Sequence, residues 1–338
     1  MILYFGNILG KHYVTPTFIE QLAPKISEFE TIILASNCNN PIMRMIHMIG
    51  LLLLNFRNAK LMLFDTYSHW AFYYALVLAF LSRLFCVPYF PILRGGNLSH
   101  RLIKSPFLSR IIFSYSKNNI TPSMYLQEQF QKEGYRVIYI PNFIELEKYP
   151  FSAREKCSPK LLWVRAFHEI YNPEMAIRVL SDLSNKFPEV ELCMVGPEKD
   201  GSMKSCRILA DELGVLDKVT FTGMLLKKEW IELSQSYDIF INTTNYESFG
   251  LSVMEAAACG LVIVTTNSGE LKYLYKDRKD AMVVNTGDVD EMVEAISEVI
   301  KNIELAKVLS LNSRRKADSF SWDAVEASWK EIISEIKT

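Results

Sequence analysis

The chain has 338 residues, 49% hydrophobic and 22% charged, which is enough apolar material for more than one core. Its formal charge of −1 excludes a strongly basic nucleic-acid binder, and six scattered cysteines, none paired at metal-ligand spacing, suit reduced thiols in a cytosol. The balance hides an asymmetry, because residues 1–150 carry 14 basic and 8 acidic side chains while residues 151–338 carry 23 and 30. A basic, aromatic-rich first half suits an anionic acceptor or an anionic membrane surface, and uneven solvation explains the same counts equally well.

The opening MILYFGNILGKHYVTP has neither the charged leader nor the long apolar stretch of a signal peptide. It reads as a strand and a loop, so a cytoplasmic location is expected. Strands are expected at Met1–Tyr4, Thr31–Ala35, Lys60–Phe64, Tyr89–Leu93, Asn119–Thr121 and Arg136–Ile140, alternating with helical stretches as in a parallel sheet wrapped by helices. The apolar runs Ile42–Phe56 and Trp70–Leu81 fall short of the ~18–20 residues that span a bilayer. Buried helices are the expectation, with insertion at a membrane surface as the alternative, because Arg44, Arg57, Lys60 and Arg83 flank the runs. The polar stretch Phe151–Lys160 reads as a linker between domains. A second series follows, with strands at Leu161–Val164, Glu191–Val195, Val219–Phe221, Ile239–Asn242 and Leu261–Thr265 and helical periods such as Pro173–Lys186 and Lys228–Tyr237. The expected fold class is α/β, two doubly wound domains, with chemistry in the loops beyond the carboxyl ends of the strands.

The informative window is DIFINTTNYESFGLSVMEAAACGLVIVTTNSGE, residues 238–270. A strand enters a polar loop, passes Ser248-Phe249-Gly250, and opens a helix near Leu251 that ends at Cys259-Gly260. Gly250 lets a ligand approach the first N–H groups of that helix, which with the helix dipole favour phosphate. Glu255, just over one turn in, can face the same pocket as Glu247, and two carboxylates there accept hydrogen bonds from sugar or ribose hydroxyls. Glutamates at this spacing occur three times (Glu20/Glu28, Glu147/Glu155, Glu247/Glu255), but only the last pair stands behind a strand and straddles a glycine at a helix start.

The stretch YESFGLSVMEAAACG resembles the Glu-x7-Glu element of glycosyltransferase family 4, in the setting E-x-F-G-L-x-x-x-E-A-x-A-x-G. The resemblance extends to Val219–Gly223 and Ser268-Gly269-Glu270, to Thr121-Pro122-Ser123, Gly134 and Ile140-Pro141-Asn142 in the first half, and to Phe320-Ser321-Trp322 near the end. It implies a GT-B architecture: an acceptor-binding Rossmann-like domain at 1–150, a nucleotide-sugar-binding one at 161–319 facing it across a deep cleft, and a helix at 320–338 crossing back. It also implies that Glu255 accepts from the ribose, that Glu247 holds the transferred sugar, and that the backbone of Ser248, Phe249, Gly250 and Leu251 holds sugar and diphosphate. Gly196 and Gly223 would shape the donor pocket. Arg165, after a strand, would stabilise the departing diphosphate. The lysine that the family places a few residues later is missing from Arg165-Ala-Phe-His168-Glu-Ile-Tyr171-Asn172-Pro173, so Tyr171, His168 or Lys199 would have to substitute.

On the acceptor side the candidates are Gly6, Asn7 and Gly10-Lys11 after the first strand, Arg94-Gly95-Gly96 after another, and Asp65 with His69 in FDTYSHW. The remaining histidines have no metal-binding spacing, so no metal and no cofactor are expected. The expected function is retaining, metal-independent hexosyl transfer to a glycan or lipid-linked acceptor in envelope polysaccharide synthesis, with a UDP-sugar favoured over a GDP-sugar. The expected setting is cytoplasmic and peripheral on the inner face of the membrane, with no nucleic-acid partner. The alternatives are a non-catalytic nucleotide-sugar binder of a glycan assembly, or an epimerase or phosphorylase of the same fold.

Overall fold

A computed structural model of the chain describes residues 1–8, 16–95 and 97–337. They fall into two units, Met1–Asn142 with Val325–Thr338, and Phe143–Ala324.

The first unit alternates β1 (Ile2–Phe5), α1 (Phe18–Ser27), β2 (Ile32–Ala35), α2 (Pro41–Asn55), β3 (Leu61–Thr66), α3 (Trp70–Leu84), β4 (Tyr89–Leu93), α4 (Leu98–Lys104), α5 (Pro106–Phe113), β5 (Asn119–Thr121), α6 (Met124–Lys132) and β6 (Val137–Tyr139). Its parallel sheet has the order β2-β1-β3-β4-β5-β6. Helix starts follow local chemistry: the Asn40 side chain accepts from the Ile42 and Met43 amides with Pro41 in the first turn, and Ser123 accepts from Leu126 N. β1, β3 and β4 are buried throughout, as strands covered on both faces must be, and Phe64, Phe72, Phe113 and Phe130 fill one side.

The two apolar runs form helices as expected, but they are not buried all round. On α3 the buried side is Phe72, Ala75, Leu78, Ala79 and Ser82, while Trp70, Tyr73, Phe80 and Leu84 follow a second helical stripe that faces outward. On α2, Arg44, Met48 and Leu52 face inward, and Ile42, Ile46 and Leu54 are exposed, Leu54 by 81%. Among the described residues no helix is long and apolar enough to cross a membrane.

The second unit runs β7 (Lys160–Val164), α7 (Pro173–Ser184), β8 (Glu191–Val195), α8 (Ser202–Glu212), β9 (Val219–Gly223), α9 (Lys227–Ser234), β10 (Ile239–Asn242), α10 (Leu251–Ala258), β11 (Val262–Thr266), α11 (Leu271–Leu274), β12 (Met282–Val284), α12 (Val289–Lys301), α13 (Ile303–Asp318) and α14 (Trp322–Ser334), the last passing from the second unit into the first. The sheet order is β12-β11-β10-β7-β8-β9, again parallel. β12 is a sixth strand, three residues long, that the sequence reading did not include.

The stretch expected as a linker, Phe151–Lys160, lies inside the second unit, and the division falls at Asn142. Its polarity misleads because Arg154 is buried, donating to the carbonyls of Ser152, Cys259, Ser234 and Tyr237, and Cys157 is buried in the core.

In both sheets the order reverses once. The chain steps from β1 to β2 on one side and then to β3 on the other, and likewise from β7 through β8 and β9 before returning to β10 beside β7. At such a reversal the loops after two neighbouring strands leave toward opposite faces and open a crevice at their carboxyl ends.

Candidate functional site

In the second unit the crevice lies between the loops that follow β7 and β10. Arg165 is the first residue after β7, and its backbone N–H is held by Val195 O at 3.0 Å. Its guanidinium pairs with Glu247, from the loop after β10, and lies over the Tyr171 ring with 4.6 Å to the centroid. Burial pulls the Arg165 pKa down against the opposing pull of Tyr171 and Glu255, and the guanidinium keeps its charge. Glu247 is 5% exposed, and its Oε1 accepts from the amides of Ser248 (3.0 Å) and Phe249 (3.3 Å) while Oε2 faces Arg165.

Glu255 sits on α10, buried, with Oε1 accepting from Tyr149 Oη at 2.8 Å and paired with Lys227 Nζ at the start of α9. Burial and the neighbouring Glu255 push the Tyr149 hydroxyl far up, so it stays a donor. Each carboxylate thus carries its own cation, and Glu255 also acts on Arg165.

Two glycines shape the pocket. Gly250 caps α10 at φ +87°, and a Cβ there would meet Leu271 Cδ2 at 2.8 Å. Gly269 has φ +58°, and a Cβ there would run into the carbonyl of Glu247, which accepts from the Glu270 amide at 2.9 Å. The Ser268-Gly269-Glu270 loop therefore packs its backbone directly on the Glu247 loop. The first N–H groups of α10 have no acceptor within the helix. Beside them the hydroxyls of Ser252 and Ser268 are buried with no hydrogen-bond partner among the described residues. A ligand with several oxygen acceptors suits such a set of donors.

The other expected donor-side residues divide. Ser248 is half-buried and Leu251 lies at the helix start, whereas the Phe249 ring packs in the core near Phe320, so only its backbone faces the pocket. Gly196 serves packing, since a Cβ would collide with the Arg165 carbonyl, and its N–H donates to Gly223 O at 2.8 Å. Gly223 supplies φ +71° at the end of β9. Tyr171 stays with Arg165 as a ring beneath the guanidinium. His168 and Lys199 go elsewhere: His168 Nδ1 accepts from Ile170 N and lies 3.8 Å from Asp200, and Lys199 is exposed on the loop after β8. The sequence reading missed Lys227 and Tyr149.

In the first unit a second polar cluster occupies the crevice between β1 and β3. Asp65, in β3, accepts from Tyr4 Oη at 3.1 Å and lies 3.7 Å from Arg94 Nε. Burial outweighs Arg94 and Tyr4 and pushes the Asp65 carboxyl up to about 6. Gly6 is required here, because a Cβ would stand 2.7 Å from Asp65 Oδ2, an atom that is buried without a hydrogen-bond partner. Arg94 is buried, bonds Asn142 Oδ1, and stacks on Phe18 at 3.3 Å. A cavity of ≈ 10 Å³, room for about one water, is lined by Gly6, Asn7, Asp65 and Tyr67 among others.

Asn7 lines that cavity but spends its Oδ1 on Arg44 Nη1 at 2.7 Å. Gly95, at φ +81°, is an exposed turn next to Arg94. His69 does not join Asp65. It is exposed and lines a separate hollow with Trp70, Tyr73 and Arg101. Lys11 lies outside the described residues. Among the described residues no group of three or more histidine, cysteine or carboxylate side chains is placed to hold a metal ion.

Residues 147–316 match the family model "Glycosyl transferases group 1". Over 179 residues the chain is 31% identical to a D-inositol 3-phosphate glycosyltransferase of Mycolicibacterium smegmatis, covering 51% of this chain and 41% of that protein. A D-inositol 3-phosphate glycosyltransferase of Corynebacterium jeikeium is 25% identical over 179 residues, 52% of this chain and 43% of its own length. The matches therefore span about two fifths of the relatives' length. Among solved structures, Anabaena HepE in complex with UDP superposes with a TM-score of 0.77 over 99% of both chains at 16% identity, a likeness of fold that makes this architecture GT-B.

Proposed function

Because its matched segment spans half of the chain, the protein belongs to the group 1 glycosyl transferases, and from that premise we propose that it moves a sugar from a nucleoside diphosphate onto a hydroxyl of a glycan or lipid-linked acceptor. The observation that carries the reading is the meeting of Arg165, Glu247 and Glu255 at the start of α10, in the crevice where the strand order of the second sheet reverses. Glu255 accepts from the ribose hydroxyls and Glu247 from the transferred sugar. Arg165 and the first amides of α10 stabilise the charge that grows on the diphosphate as the glycosidic bond breaks; one such preorganised donor contributes about 2.7–4 kcal/mol.

The mechanism retains configuration by front-face transfer. Glu247 suits positioning better than nucleophilic attack, since Oε1 is held by two amides and Oε2 by Arg165. Lys227, on Glu255, takes the part of the missing lysine: once ribose hydroxyls donate to Glu255, its ammonium is released to the diphosphate. With the cations supplied by the protein, no metal is needed. A UDP-sugar is favoured over a GDP-sugar, and UDP is the ligand in the Anabaena structure. The setting is cytoplasmic polysaccharide synthesis for the cell envelope, with acceptor hydroxyls received at the first unit.

The test is thermal stabilisation by UDP, GDP and ADP, with and without chelator, on wild type and Glu255→Ala. Stabilisation by UDP that survives chelation and disappears in the variant is expected. No stabilisation by any nucleotide would overturn the donor assignment.

A further inference from the structure

We infer that the outer helical layer of the first unit, α2 with α3, α4 and α5, is a docking surface for an anionic lipid bilayer, on which the protein lies without crossing. The steps β2 to β3, β3 to β4 and β4 to β5 all run in one direction across the sheet, so right-handed crossovers put these helices on one face, while β1 to β2 runs back and puts α1 on the other. α3 packs against both α2 and α5, which makes the layer continuous. Its outward side carries Leu54 on α2, Trp70 and Phe80 on α3, and Ile103 and Phe107 on α4 and α5, with Trp70, Ile103 and Phe107 each 73–74% exposed. Monomeric proteins rarely present so many large apolar side chains on one layer without a surface to bury them in.

The charge around them names that surface. From residue 31 to residue 127 the only acidic side chain in the sequence is Asp65, which is buried in β3, against nine lysines and arginines. Arg44 and Arg94 are buried, and among the described residues the ion pairs of this segment to carboxylates are Lys60–Glu30 and Arg94–Asp65. Arg57, Arg83, Lys104 and Arg110 are exposed beside the apolar side chains, and Arg83 stands over the Tyr115 ring at 3.6 Å. Apolar side chains ringed by unpaired cations match acyl chains beneath anionic headgroups. A second copy is disfavoured as the occupant, because a two-fold contact would bring this cationic face against itself.

The experiment is co-sedimentation of the full chain with vesicles of phosphatidylcholine alone or mixed with phosphatidylglycerol, at low and at high salt. Variants are Leu54→Glu with Phe80→Glu, and Arg83→Glu with Lys104→Glu; all four positions are exposed, and retained UDP stabilisation together with an unchanged thermal midpoint reports that each variant folds. Wild type is expected to sediment only with anionic vesicles, less at high salt, with at least a tenfold weaker partition in either double variant. No sedimentation with anionic vesicles, or equal sedimentation of folded variants, overturns the inference. So does a lipid-free dimer that Leu54→Glu with Phe80→Glu dissolves, which would assign the face to a second copy.

Discussion

Asp65 ties the stability of the first unit to pH in a direction opposite to that of most carboxylates. Its side chain is 1% exposed, and burial lifts its pKa from an ordinary 3.8 to about 6 despite Arg94 at 3.7 Å. Between those values the folded chain binds a proton that the unfolded chain has released. The contribution is therefore fully present below pH 3.8 and is lost as pH rises through 6. Integrating the linkage with these two values leaves the unit about 1.4 kcal/mol more stable at pH 5 than at pH 7.5, out of about 3 kcal/mol over the whole window. Asp65→Asn removes the titration but strips Arg94 of its carboxylate, so the informative quantity is the pH difference within each protein. Hydrogen exchange of the β1 and β3 amides, corrected for intrinsic rates at pH 5 and 7.5, reads the opening free energy of this unit separately from the other. The variant should have a pH difference smaller by about 1.4 kcal/mol than wild type. Equal differences in the two proteins would refute the placement of a protonated Asp65 in the fold.

Two further substitutions test the crevice of the second unit. Gly269→Ala puts a Cβ into the Glu247 carbonyl at φ +58°; the left-handed conformation alone costs about 1–2 kcal/mol, so a lower unfolding midpoint and loss of UDP stabilisation are expected in calorimetry. Arg165→Lys keeps a charge facing Glu247 but loses the planar stack on Tyr171 and the second donor; turnover in a sugar-transfer assay should fall by about 10²–10³ with little change in the unfolding midpoint.

The alternation of short apolar strands with helical periods made both sheets legible, and the ends of β4, β5, β8 and β10 fall where the sequence places them. Glu247 and Glu255 were legible because the features that define them are contiguous: a strand, a glycine, and a helix start within a few residues. Their partners were not. Tyr149 is 106 positions from Glu255, and Lys227 reads as one of two adjacent lysines opening an exposed helix until α9 is folded beside α10. Periodicity likewise predicts which residues share a helix face, but it does not say which face is covered. On α3 both faces are apolar, so Leu78 and Phe80 look alike in the sequence and end on opposite sides of the helix. Arg154 shows the converse, a charge in a polar stretch that is buried because four carbonyls, three of them from distant segments, converge on its guanidinium.

Each unit places an arginine and a carboxylate at the reversal of its strand order, yet the two pairs have different chemistry. Glu247 receives two backbone amides and stands at the start of a helix, surroundings that favour negative charge and leave the crevice able to take a diphosphate. Asp65 receives one phenol and a distant guanidinium, with one oxygen shut in against Gly6, surroundings that favour the protonated acid. With a pKa of about 6 the group is still ionised near neutral pH, and a carboxylate only accepts, which suits a hydroxyl better than an anion. The backbone donors around each carboxylate, more than the arginine beside it, therefore decide which of the two is held as an anion and which takes up a proton first as the pH falls.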